Sequence, residues 1–192
     1  MGSSGKLFIV SGPSGSGKSS LVNDVVNELN DFVRSVSVTT RPRRSDEVSG
    51  SQYHFISKDE FDKLVEKDML LEWAFYANYQ YGTLREFVNE NLNKGKNVIL
   101  VIDVQGAMQV AEKIKDLYLI FITTSSLKEL KERIRKRGAD SSEEMKKRLA
   151  IAKSELDQMN HYDCIIVNNN YNEALLNLKK VLNSQKGRKK IQ

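Results

Sequence analysis

Cysteine is almost missing from this chain: Cys164 stands alone, so no internal disulfide is possible. Its neighbours Ile165-Ile166-Val167 place the thiol on a buried strand, a structural position and not that of a nucleophile. Long apolar runs are missing too. No stretch of about 18 apolar residues exists, which excludes a membrane-spanning helix. Leu7 to Val10 is too short for the apolar part of a signal peptide, and Lys6 stands where a myristoylation signal needs Ser or Thr. A cytoplasmic protein is the expectation. There are no internal repeats, no low-complexity segment and no nucleic-acid-binding motif. The net charge of +5 has its densest basic run at Lys186 to Lys190, which lacks interleaved aromatics and reads as a solvated helix end. The basic balance therefore suits small polyanionic substrates, with neither nucleic acid nor membrane as a partner.

What is present is the material of one ordinary domain: 192 residues, 40% hydrophobic and 29% charged. Short apolar runs alternate with helical segments, the pattern of an α/β fold with a mainly parallel sheet flanked by helices. Leu7–Val10, Val98–Ile102, Leu119–Ile122 and Ile165–Val167 read as buried strands, and Ser19–Leu29 as a helix with Leu21, Val22, Val25, Val26 and Leu29 at helical spacing. Ser57 with Glu60, Thr83 with Glu86, Ser126 with Glu129 and Ser141 with Glu144 are spaced as capping boxes, and Gly138 suits a helix C-terminus. Residues 34–83 break the rhythm. They are rich in Ser, Thr, Arg and aromatics, with alternating runs at Gln52–Ile56 and Leu70–Tyr76. They read as a small, largely antiparallel lobe inserted into a core formed by residues 1–33, 84–137 and 155–192, with a short helical lid over 138–154.

Gly12-Pro13-Ser14-Gly15-Ser16-Gly17-Lys18-Ser19 fits the P-loop pattern, between a strand and a helix as the motif requires. Glycines let backbone N–H groups turn inward around phosphate oxygens, and the helix start adds its positive dipole end. These eight residues and Ser20 form the expected ATP-binding loop. Lys18 is expected to reach the β- and γ-phosphates, and Ser19 to ligate Mg²⁺. Asp103 closes the apolar run Val98–Ile102, where an acid would meet the metal directly or through water. In the lobe, Arg41, Arg43 and Arg44 lie beside Ser37, Thr39 and Thr40. Arginine forks bind phosphate bidentately and hydroxyls fill the remaining acceptor sites.

Taken together, Ser37-Val38-Thr39-Thr40-Arg41-Pro42-Arg43-Arg44, Glu47-Val48-Ser49-Gly50-Ser51-Gln52-Tyr53, Glu72-Trp73-Ala74 and Tyr81-Gly82-Thr83 resemble the guanylate kinase family. The resemblance continues through Ile102-Asp103-Val104-Gln105-Gly106, Arg133-Ile134-Arg135-Lys136-Arg137-Gly138, Lys147-Arg148-Leu149 and Val167-Asn168. It implies transfer of the γ-phosphoryl group of ATP to GMP, with Mg²⁺, in a P-loop core carrying a GMP-binding lobe and a lid. Residue by residue, it implies that Ser37, Arg41, Arg44, Tyr53 and Tyr81 hold the GMP phosphate. Glu72 and Thr83 would read the guanine with Asp103 nearby. Arg133, Arg137 and Arg148 would approach ATP from the lid side, Arg137 and Arg148 as catalytic groups with Lys18, and Asn168 would sit by the adenine. The guanine assignment agrees with its chemistry: a carboxylate accepts from N1–H and N2–H, a hydroxyl donates to O6, and adenine would leave Glu72 facing a lone pair.

Three positions depart from the family pattern: Val101 and Asn169 stand where acids are usual, and Asp46 where Gly is common. None removes a phosphate ligand. Two other readings fit less well. A protein-binding scaffold of this type would have a degraded P-loop and no lid arginines, whereas Lys18, Ser19, Arg137 and Arg148 are all present. A GTPase would carry an N/T-K-x-D motif, which is absent, and a kinase for another acceptor would not need Glu72 and Thr83 beside the phosphate arginines.

Overall fold

The computed structural model describes residues 4–45, 47–51, 53–76, 78–136 and 142–187. Its main sheet is built from β1 (Leu7–Ser11), β2 (Phe32–Arg34), β7 (Asn97–Val101), β8 (Leu117–Thr123) and β9 (Cys164–Val167), in the order β2-β7-β1-β8-β9. All four pairings are parallel. Strands of such a sheet are covered on both faces, so they read as continuous apolar runs without alternation. In β1, Leu7 and Ile9 point into one cluster with Val98, Leu100, Leu119 and Phe121, while Phe8 and Val10 point into another with Ile99, Ile120 and Ile122. Burying one such side chain contributes roughly 1.5–3 kcal/mol.

Helices close both faces. α1 (Lys18–Glu28) and α7 (Tyr171–Gln185) cover one through Leu21, Val22, Val25, Ala174, Leu178 and Leu182. α3 (Arg85–Asn93) and α4 (Val104–Lys113) cover the other through Val88, Val104, Ala107 and Val110. α5 (Leu127–Lys136) and α6 (Ser142–Leu156) pack on each other through Leu130, Ile134 and Ala152. The chain leaves β1 towards β2 and β7 on one side and reaches β8 and β9 on the other. The connection after β1 therefore opens at the switch point, where ligands of such sheets bind.

The second sheet has the order β4-β3-β6-β5, from β3 (Val38–Thr39), β4 (His54–Phe55), β5 (Leu70–Tyr76) and β6 (Tyr79–Leu84). It is mixed: β3 runs parallel to β4, and β6 runs antiparallel to β3 and β5. Its own small core is Val38, Phe61 and Leu70, with Phe61 supplied by α2 (Lys58–Glu66). The Ser57–Glu60 capping box at the start of α2 is complete in both directions. α4 ties this sheet to the main one. Gln109 pairs like a strand with Trp73, its Oε1 accepting from Trp73 N at 3.3 Å and its Nε2 donating to Trp73 O at 2.8 Å. Lys113 Nζ donates to Leu71 O at 2.8 Å. The edge of β5 is thereby occupied by side chains of the core.

Three expectations are corrected. Thr83 does not cap α3; Leu84 holds that position without a side-chain bond, because the Thr83 hydroxyl donates to Glu72 instead. β9 is not a buried strand but the sheet edge, with Ile165 and Val167 about half exposed and Cys164 half-buried. The short β2, on the far edge of the same sheet, has no apolar run to announce it. Ser126 does cap α5 by accepting from Glu129 N at 3.2 Å, but the Glu129 carboxylate turns to Arg133 and Ser125. Arg137, Gly138, Ser141, Asp46, Gln52 and the basic residues after Gly187 lie outside the described residues.

Candidate nucleotide-binding site

The loop after β1 is shaped to present backbone. Gly17 takes a left-handed conformation (φ 93°, ψ 10°) and starts α1 with no side chain to cap the first-turn N–H groups of Lys18, Ser19 and Ser20. A Cβ at Gly17 would also run into Asn168 Nδ2. That amide donates to Ser16 O at 2.7 Å from a buried position, so Asn168 braces the loop from the end of β9. Arg133 on α5 is held on the same rim, donating to Asn168 O at 2.7 Å and to Glu129 at 2.5 Å. Asn169, the departure from the acid, is a structural brace. Its Oδ1 accepts from Ser125 N at 2.9 Å and closes the β8–α5 corner.

Lys18 folds back over the loop, and its Nζ donates to Gly12 O at 2.6 Å and Pro13 O at 3.0 Å. Two acids answer it. Asp103 is the N-cap of α4, with Oδ1 accepting from Gly106 N at 2.8 Å. Burial pushes its carboxyl above the ordinary range, against the α4 amides and Lys18. Glu155 on α6 is 7% exposed, and its Oε2 has no hydrogen-bond partner. Burial and the Asp103 charge raise it, and Lys18 opposes them. Glu155 lies seven residues after Arg148, two turns along and on the same face of α6. Tyr76, at the tip of β5, feels both Glu155 and Arg148, so the second sheet, the α6 helix and the loop meet here.

The second sheet carries two further groupings. In the first, Glu72 is 3% exposed and accepts a 2.6 Å bond from the Thr83 hydroxyl across the β5–β6 ladder. Burial pushes its carboxyl up to about 7; Thr83 and Lys113 work the other way, and Asp103 adds to the rise. Its Oε2 rests on Gly106, where any Cβ would collide with it. In the second, Arg41 lies over the rings of Tyr53 and Phe55, 5.5 and 5.4 Å from their centroids. Tyr53 meets Tyr81 edge-on at 5.7 Å, and Arg41 also pairs with the Tyr81 hydroxyl. Ser37 is buried beside them at the start of β3, while Arg44 is exposed on the loop that follows.

Comparison with known proteins decides what this arrangement belongs to. A family model described as Guanylate kinase matches residues 4–185. A guanylate kinase of Thermotoga maritima is 42% identical over 184 residues, covering 96% of this chain and 89% of that protein. One from Synechococcus sp. (strain JA-3-3Ab) is 44% identical over 178 residues, covering 93% and 82%. The crystal structure of guanylate kinase from Anaplasma phagocytophilum superposes with a TM-score of 0.82 at 30% identity, covering 97% of this chain and 89% of that one.

The chain belongs to the guanylate kinase family.

Within that family's framework, the residues singled out from the sequence fall into three neighbouring groups. Lys18 and Asp103 face each other at the loop, with Ser19 next to Lys18 in the first turn of α1; Glu72 and Thr83 are bonded to each other; Arg41, Tyr53 and Tyr81 interlock. Arg148 stands on α6 near Tyr76, and Arg137 lies outside the described residues. Glu47, Gly106, Tyr76 and Glu155 were not singled out as site residues. The seven-residue step from Arg148 to Glu155 was the available signal for the last. Gly106 offered none, because its role depends on where Glu72 comes to rest.

Proposed function

We propose that this chain transfers the γ-phosphoryl group of ATP to GMP, giving ADP and GDP, with the donor held by the Gly12–Ser20 loop and the acceptor by residues 34–83. The observation that carries the reading is the first turn of α4. One turn holds Asp103, which faces Lys18, and Gly106, on which Glu72 is seated. Donor anchor and base reader are thus built onto the same helix end.

In this reading the chain divides into a core (1–33, 84–137 and 155–192), a GMP-binding lobe (34–83) and a lid (138–154). The loop amides and Lys18 take the ATP phosphates, and Arg133 and Asn168 form the rim towards the adenine. Ser37, Arg41, Arg44, Tyr53 and Tyr81 take the GMP phosphate. Glu72 accepts from guanine N1–H and N2–H, and Thr83 turns its hydroxyl to O6. Arg137 and Arg148 come to the transferred group from the lid.

The oxygens around Lys18 suit a hard cation. Ser19 offers a hydroxyl, Asp103 a carboxylate, and Glu155 a buried Oε2 in need of a partner. Among the described residues no three His, Cys, Asp or Glu side chains come together, so in this reading Mg²⁺ is held by few protein groups and largely by substrate phosphates and water. Bound with ATP, Mg²⁺ would supply charge neutralisation at the phosphates. The protein's own part is alignment. Two anions repel, and Lys18 with the arginines offsets that repulsion and brings acceptor oxygen and phosphorus into line. The acceptor phosphate is already ionised at neutral pH, so no general base is required. Closure of lobe and lid would keep water from the γ-phosphate. Such nucleotide chemistry belongs in the cytoplasm.

The test is Lys18→Ala. It removes the one side-chain cation of the loop while leaving the apolar core untouched. A folded variant should lose on the order of 10²–10³ in kcat; a folded variant with near-normal kcat would refute loop-based catalysis.

A further inference from the structure

Among the described residues, the lobe's basic run contains one buried acid, Glu47. Its carboxylate uses both oxygens. Oε1 accepts from Arg41 NH2 at 2.6 Å, and Oε2 accepts from Arg44 N at 2.9 Å. Its backbone carbonyl accepts from Arg43 NH1 at 2.6 Å. A single residue thus gathers all three arginines of the segment. The Arg41–Glu47 pair is also shielded: the two side chains are only 12% and 11% exposed, and aromatic rings flank the guanidinium.

A carboxylate beside phosphate-binding arginines has two possible meanings. It could occupy the anion position until substrate displaces it, or it could be a permanent part that aims the arginines. Displacement would strand a buried carboxylate and the Arg44 N–H, a costly exchange. It would also be unnecessary. A guanidinium has five N–H donors; one goes to Glu47, one, on NH1, to Pro42 O at 2.9 Å and one faces the Tyr81 hydroxyl, which leaves others for an incoming anion. We propose that Glu47 is a positioning residue for GMP: it stays bonded to Arg41 and to the Arg44 backbone when the acceptor phosphate arrives, and fixes where both arginines stand. Both partners are held in their charged forms. Burial works against each, but the hydrogen bond between them, with the Arg44 amide, keeps Glu47 below the usual carboxylate range and Arg41 above its ordinary value.

This inference rests on the reading of Arg41 as a ligand of the GMP phosphate, so the experiment includes Arg41→Ala beside Glu47→Gln. Glutamine keeps the shape but offers one acceptor where two are used, and turns a donor towards another donor. GMP affinity is measured by calorimetry, KM for GMP and ATP in steady state, and folding by thermal melts. Glu47→Gln should weaken GMP roughly 10–100-fold, the scale for a charged hydrogen bond, with KM for ATP unchanged and kcat at saturating GMP changed far less than KM. Glu47→Asp keeps the charge but cannot span both partners, and should fall between wild type and Gln; it decides the matter if the Gln variant does not fold. Unchanged GMP affinity in the folded variants, with Arg41→Ala weakened, would overturn the role of Glu47 alone. Tighter GMP binding would mark Glu47 as an occupant of the phosphate position and overturn it as well. If Arg41→Ala binds GMP normally, the phosphate reading of the lobe is what fails.

Discussion

In the proposed reading the Gly12–Ser20 loop and the lobe of residues 34–83 each hold an anion, and they are made of opposite materials. The loop offers backbone: Gly17 in a left-handed turn, an uncapped α1, and a brace from Asn168. The lobe offers side chains already bonded to one another: Thr83 to Glu72, Glu47 to Arg41, and Tyr53 against Tyr81. Backbone amides carry no base preference and can serve any triphosphate. Side-chain pairs cost conformational entropy to order, but each end has a defined donor or acceptor, which is what choosing among bases needs. Function should divide in the same way, with core and lid contacts governing turnover and lobe contacts governing which acceptor binds.

The largest expected effect tests the first half of that division. Arg148 stands on α6, near Tyr76 and on the face shared with Glu155, and in the proposed reading it comes to the transferred group. Arg148→Ala should lower kcat by on the order of 10²–10³ and leave GMP affinity, read by calorimetry, nearly intact. Loss of GMP binding with kcat preserved at saturation would put Arg148 on the acceptor side and break the division.

Glu72→Gln probes the other half. It should reduce kcat/KM for GMP by roughly 10–100-fold and shrink the GMP-over-AMP preference, with KM for ATP unmoved. An unchanged preference would mean that Glu72 does not read the base. A smaller effect follows from its carboxyl, raised to about 7. Guanine needs the ionised form, so GMP affinity should fall by roughly tenfold between about pH 8 and about pH 6. This is to be judged against Glu72→Gln, which shares the titration of GMP itself. Stability moves the other way. An unfolded glutamate titrates near about 4.3; the folded protein holds the proton more tightly. The stabilising contribution is full below that value and is lost as pH rises to about 7. Denaturant titrations of both proteins should diverge across that window, and parallel curves would contradict the raised carboxyl.

The two regions also differed in how far they could be read without coordinates. The core was legible because its physics is local and periodic: a buried β1 is an apolar run, and a P-loop is glycines at fixed spacing. The lobe was legible only through resemblance, since Glu72 and Thr83 are eleven residues apart and meet only through the β5–β6 register. Thr83 shows the limit. A Thr three residues before a Glu looks like a helix cap, and it became a partner for Glu72 because a buried carboxylate needs a donor more than an exposed helix end does. β2 and β9 were misread or missed for another reason. The three-residue β2 has no apolar run to show it, while the run at β9 marked a strand but could not show that the strand lies at the sheet edge.

In the proposed reading Glu72, seated against Gly106 of α4 and bonded to Thr83, makes this chain a kinase for GMP. The direct measurement is ADP production from ATP across GMP, dGMP, AMP, CMP and UMP at equal concentrations, with wild type and Glu72→Gln side by side. The expected result is turnover dominated by the guanine acceptors in the wild type and a much flatter profile in the variant. ADP release that is independent of the acceptor, or AMP used as well as GMP by the wild type, would contradict it.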